Sequence, residues 1–234
     1  MKFKFLAMLA AIFSLAVLTS SCNDNDNGPE NYVYYDIVTF VSQNDNGSTY
    51  TFHTDPNSSL ITYTSTQKLD EKVVKPGSRV MIAYTLPDGR QSYTSGAITL
   101  LALQEVQNGK LLEGTAEQYG QWMSAGIQPK GFWVAGNYLN MQFQAMVRND
   151  IKTLDLVVDE TTLGNKMPDV YLIYKPDDET APWKDIVASY DISAIWANMQ
   201  YDGFTLHVNS EFSSMPNKIE FKRTASITPM ALSM

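Results

Sequence analysis

The chain has 234 residues, 44% of them apolar and 18% charged, and a formal net charge of −8. That length supports one large hydrophobic core or two small ones without disulfide or metal staples, and the apolar fraction excludes a chain disordered throughout. A single Cys excludes an internal disulfide framework and Cys-rich zinc or iron–sulfur sites, and two His leave little material for a His-based metal centre.

The chain opens Met1-Lys2-Phe3-Lys4, continues apolar from Phe5 to Leu18, and reaches Thr19-Ser20-Ser21-Cys22. A basic start, an apolar stretch and small residues make a secretory signal over 1–21, and a run of fourteen residues is too short to span a bilayer comfortably as a helix. The only Cys stands directly after the small residues, so this stretch resembles a bacterial lipobox, cut between Ser21 and Cys22. Leu18 and Thr19 depart from the usual pattern. Cys22 is the expected lipidation site. Several acyl chains on one Cys anchor a protein stably, where a single chain does not. Residues 22–31 are polar and acidic, and read as a flexible tether whose acids resemble an export signal to the outer face of the outer membrane. An EF-hand reading of this stretch fails, because Tyr34 falls where the twelfth-position Glu should be. Cleavage removes Lys2 and Lys4 and no acid, taking the net charge to −10, which disfavours a phosphate backbone as partner.

Residues 32–114 read as short strands. Tyr32–Val41 is rich in Tyr, Val, Ile and Phe. Asn44-Asp45-Asn46-Gly47 then signals a hairpin into Thr49–His53. Asp55-Pro56-Asn57 ends it, and Leu60–Thr66 is the next strand. After Lys75-Pro76-Gly77, the stretch Arg79–Leu86 alternates, with Val80, Ile82, Tyr84 and Leu86 on one face. Pro87-Asp88-Gly89 turns the chain again, and Ala97–Val106 is the last apolar run before Asn108-Gly109. Five or six such strands suit a small OB-like barrel. Residues 115–130, punctuated by Gly120, Gly126 and Pro129, read as a linker with one helical turn.

Residues 131–225 carry a second set. Leu139, Met141, Phe143, Ala145 and Val147 alternate with polar residues, as do Leu154, Leu156 and Val158. Val170–Tyr174 reads as a central strand. Phe204, Leu206 and Val208 oppose Thr205, His207 and Asn209, and Ile219 and Phe221 end the pattern. Asp185–Trp196 is ambiguous between strand and helical turn. The expected fold is all-β: an OB-like barrel followed by an antiparallel immunoglobulin-like β-sandwich, with a loose tail over 226–234.

Ser20-Ser21-Cys22 with its acidic tether, the Arg79–Leu86 strand, and Trp133-Val134-Ala135-Gly136-Asn137-Tyr138-Leu139-Asn140 together resemble the NigD-like family of bacterial lipoproteins. The resemblance covers essentially the whole mature chain. It implies an OB-like N-terminal domain, a C-terminal β-sandwich and a link to bacteriocin-associated gene clusters. It carries over no catalytic residue.

A Ser nucleophile needs a base, and only His53 and His207 are available, each on a strand position facing solvent. Asp177-Asp178-Glu179 and Asp159-Glu160 are the carboxylates that could pair across a glycosidase cleft or bind Ca²⁺; their Pro- and Thr-rich surroundings read as surface loops. Gly126, Gly131 and Gly136 do not form a phosphate-binding pattern. The 13 Tyr, 10 Phe and 4 Trp suit strand cores, with Tyr32, Tyr34, Tyr35, Trp122 and Trp133 as candidates for an exposed ring that binds protein or sugar. The sequence thus points to a lipid-anchored outer-membrane protein, on the cell surface or on the periplasmic face. It is expected to be non-catalytic, without cofactor or metal, and to bind an envelope or extracellular protein; an immunity-like role is what the NigD-like resemblance implies. A glycan-binding accessory protein is the alternative.

Overall fold

A computed structural model describes residues 32–43, 49–55, 61–66, 74–87, 94–211 and 216–223. Cys22, the tether, Asn44–Gly47, Pro56-Asn57, Asp88-Gly89 and the tail lie outside the described residues.

The first half contains β1 (Tyr34–Gln43), β2 (Tyr50–His53), β3 (Thr62–Ser65), β4 (Arg79–Thr85), β5 (Gly96–Ala97) and β6 (Thr99–Glu105). They form one sheet in the order β5-β3-β2-β1-β4-β6. Only Ile98 separates β5 from β6, so one continuous stretch pairs parallel with β3 at one edge and antiparallel with β4 at the other. The sheet therefore closes on itself as a five-stranded barrel, and closure removes the exposed edges an open sheet would present. Alternation fills its interior with Val38, Phe40, Tyr50, Phe52, Tyr63, Val80, Ile82, Tyr84 and Leu100. This is the OB-like barrel expected from the strand spacing.

The second half is a sandwich. Its strands are β7 (Gln107–Lys110), β8 (Leu112–Gly114), β9 (Gln128–Ala135), β10 (Tyr138–Met146), β11 (Thr153–Asp159), β12 (Asp169–Lys175), β13 (Trp183–Asp191), β14 (Gly203–His207) and β15 (Lys218–Lys222). One sheet runs β7-β13-β10-β9 and the other β15-β14-β12-β11-β8, so β12 is central as its apolar run suggested. Leu139, Met141, Phe143, Leu156, Val158, Val170, Leu172, Phe204 and Leu206 fill the shared core. The ambiguous Asp185–Trp196 stretch resolves into most of β13 and a one-turn helix, α1 (Ser193–Trp196).

Two readings need correction. The sandwich is mixed rather than purely antiparallel, because β7–β13, β8–β11 and β12–β14 are parallel pairs. Residues 107–114, read as the end of the barrel segment, are hydrogen-bonded into the sandwich instead. The last barrel bond runs from Val106 N to Arg79 O, and the next residues lay one strand on each sheet's edge with Leu111 against the core between them. Alternation marks a strand but not its partner, which is why the sequence placed this stretch with its neighbours in chain order.

Residues 115–127 form a packed strap. It turns through bonds from Tyr119 N to Thr115 O and from Gln121 N to Ala116 O, without forming a helix. Ser124 Oγ accepts from Tyr174 N, and Ala125 N donates to Tyr174 O.

Candidate functional site

The most heavily built polar centre lies where the barrel meets the sandwich. Arg79 opens β4, and by alternation its side chain leaves the barrel on the face opposite Val80. There it is almost wholly buried, forming an ion pair with the equally enclosed Asp55. Its Nε donates to Ser189 Oγ on β13 at 3.0 Å, and Nη1 donates to Thr39 Oγ1 on β1 at 2.9 Å. Nη2 donates to Asn140 Oδ1 on β10 at 3.4 Å. Ser189 in turn donates to Asn140 Oδ1 at 2.7 Å, and the guanidinium lies 4.0 Å from the centre of the Tyr138 ring. A charge out of water is tolerated only when paired and hydrogen-bonded, and these contacts meet that condition. Burial pushes the Asp55 carboxyl above its ordinary value, against the pull of Arg79. Gly136, at φ +55° between β9 and β10, lets the sandwich approach: a Cβ there would stand 3.3 Å from Asp55 Cβ. The sequence reading had not singled out Arg79. The available signal was a charged residue opening the run Arg79–Leu86, in which only Thr85 is otherwise polar.

A second polar group lines the barrel interior. Tyr84 donates to Asp36 Oδ2 at 2.6 Å, and its hydroxyl lies 3.3 Å from that of Tyr63. Tyr34 stacks on Tyr84 at 5.6 Å and so faces inward rather than outward. Desolvation raises the Asp36 carboxyl, the Tyr84 hydrogen bond opposes that, and the Asp55 charge adds to it.

On the outer face of the five-stranded sheet the strap lays down an aromatic ladder. Trp122 stacks on Tyr171 at 4.2 Å, Tyr171 on His207 at 4.4 Å, and Tyr119 on Trp122 at 5.9 Å. The predicted Trp122 ring is therefore half-buried, with one face stacked on Tyr171. His207 Nε2 lies 2.5 Å from Asp169 Oδ1. A His oriented by a carboxylate is part of a nucleophile-activating arrangement, but here the second neighbour is a stacked Tyr. Gln121 and Trp122 hold left-handed backbone, at φ 61° and 62°, to bring the ring down.

Three of the remaining sequence candidates, Asp177, Asp178 and Asp159, make loop contacts. Asp177 accepts from Arg148 N and Asn149 N, which lowers its carboxyl. Asp178 accepts from Thr180 and Arg148, and Thr180 foremost holds it down at about 2. Asp159 caps the Glu160–Thr162 turn through Thr161 N at 3.0 Å. Among the described residues no group of three or more His, Cys, Asp or Glu is placed to hold a metal ion. No described helix is long and apolar enough to cross a membrane. His53 ends β2 in register with Thr39 and Thr62. Trp133 is half-buried on β9, in register with Asn140. Tyr32 and Tyr35 are exposed.

No family model and no curated protein matches the sequence. Solved structures do match. A protein of unknown function from Bacteroides vulgatus superposes with TM-score 0.67 at 17% identity, covering 85% of this chain and 93% of its own. A NigD-like immunity protein from Bacteroides caccae gives 0.54 at 15% identity, over 82% of this chain and 93% of that one. A protein assigned as a lipoprotein in Bacteroides fragilis gives 0.52 at 16%, over 81% and 95%. The barrel-plus-sandwich expected from the NigD-like resemblance is thus the observed architecture, and this chain has the fold of a NigD-like immunity protein.

Proposed function

We propose that the protein is a lipid-anchored envelope protein, held through Cys22 and facing outward from the outer membrane, that works by binding rather than by catalysis. The observation that carries this is the conjunction of Ser20-Ser21-Cys22 with a fold shared, over more than four-fifths of the chain, with a NigD-like immunity protein and an assigned lipoprotein. The side chains support it. Asp159, Asp177, Asp178 and His207, four of the side chains a hydrolase could use, are held by capping, by the contacts around Arg148 and by stacking. Immunity, meaning capture of a toxic protein at the cell surface, is the form of binding the shared fold suggests.

Fractionation of Cys22→Ala tests the anchor. The variant is expected to keep its circular dichroism and to leave the membrane fraction on carbonate washing. Retention in the membrane would overturn the assignment. Protease treatment of intact cells is expected to cleave the chain; protection until lysis would place it on the periplasmic side.

A further inference from the structure

Among the described residues, the outer surface of the barrel carries an apolar patch where the described chain begins. Tyr32 is 63% exposed, Val33 44%, Tyr35 41% and Leu101 44%. Strand register gathers them. Tyr35 stands beside Ala83, and Ala83 beside Ala102, with Leu101 in the bulge that follows Leu100. Val33 and Tyr35 share the outward parity of β1, while Tyr34 and Asp36 turn into the barrel to meet Tyr84. The nearest acid of the strand is therefore removed from the patch. The aromatic members are tyrosines, whose amphipathic rings favour the level of lipid headgroups.

The sequence argues for what covers this face. Ten residues, Cys22 to Asn31, separate the expected acylated Cys from Tyr32. Fully extended, they reach at most about 36 Å. Whatever bilayer holds Cys22 is thus always close to the end of the barrel that displays these side chains. We propose that Tyr32, Val33, Tyr35 and Leu101 form a membrane-docking patch, which seats the barrel against the headgroup region of the bilayer that anchors Cys22. The proposal rests on the lipid-anchor reading and extends it: the anchor supplies attachment, and the patch supplies orientation. With this face down, the sandwich and its aromatic ladder are held away from the lipid.

The test uses the full lipidated chain in phosphatidylethanolamine–phosphatidylglycerol vesicles carrying a headgroup-level nitroxide lipid. Acylation occupies the sulfur of Cys22, the single native Cys, so a fluorophore attaches only to an introduced thiol. Two exposed positions on β6 serve as reporters, Thr99→Cys beside the patch and Glu105→Cys at the far end of the strand. They lie roughly 20 Å apart along it. The docked barrel predicts nitroxide quenching at position 99 and none at 105. The triple change Tyr32→Ser, Val33→Ser, Tyr35→Ser is expected to abolish that asymmetry without altering vesicle recovery. Equal quenching at both positions in an acylated chain would refute the patch alone. A label at 99 that is shielded from water but insensitive to lipid nitroxide, in a concentration-dependent way, would show a second copy seated there and refute the lipid as occupant. An intact mass lacking acyl chains would refute the anchor reading and, with it, the assigned partner of the patch.

Discussion

At Arg79 a single side chain joins two separately packed cores. Its partners come from β1, β10, β13 and Asp55, so its loss strands both Asp55 and the Ser189–Asn140 pair. Breaking a buried ion pair from one side costs about 3–5 kcal/mol, because the remaining charge stays buried without its counter-charge. Arg79→Met is expected to lose stability on that scale in urea unfolding. Adding Asp55→Asn should recover part of the loss, since the double variant leaves no lone charge. Asp36 makes a pH prediction. Its carboxyl is raised above the ordinary 3.8, chiefly by desolvation. A raised acid contributes stability that is full below the unfolded value and is lost as pH rises through the folded one. Asp36→Asn, which stays neutral, should therefore gain on the wild type as pH climbs from about 4 to 7, measured as the difference in unfolding free energy at the two ends. A difference that shrinks over that interval would contradict the burial argument. Neither residue was legible as a site in the sequence: the desolvation that matters comes from strands distant in the chain.

Among the elements, β10, β11 and β14 are plain in the sequence, because Leu139 to Ala145, Leu154 to Val158 and Phe204 to Leu206 place an apolar side chain at every second position. The inward set Val80, Ile82 and Tyr84 of β4 was plain for the same reason. Barrel closure was not, since it depends on one stretch pairing with β3 and β4 at once. The strap was read as a linker because its Gly and polar residues hide what Trp122 does. Its ring covers an outer face on which Val157 and Ile173 are almost wholly buried. Holding a non-Gly residue in left-handed backbone costs roughly 1–2 kcal/mol, and the unfolded-state entropy of a Gly offsets part of that. Gln121→Gly is accordingly expected to raise the melting temperature slightly. Trp122→Ala should instead speed amide exchange across residues 115–127 while leaving exchange in the barrel strands unchanged. Uniform acceleration through the whole chain would show that the strap is not a local unit.

For the whole molecule, two cores of different topology meet at one polar junction, and the chain that leaves the barrel at Val106 stitches both sheets of the sandwich before the strap begins. Such an arrangement presents extended outer surfaces on a stiff frame, which suits recognition. Asp177 and Asp178 clamp the loop after Met146 to the loop after Lys175. Asp178, held down at about 2 by its Thr180 and Arg148 contacts, keeps its clamp charged until well below pH 4. The function proposed for this frame depends on Cys22. Intact-mass spectrometry of the chain purified from its native membrane tests that dependence most directly. The expected mass is that of residues 22–234 increased by acyl chains on the new N-terminal Cys. A mass matching residues 22–234 without lipid, or a chain that retains residues 1–21, would contradict it.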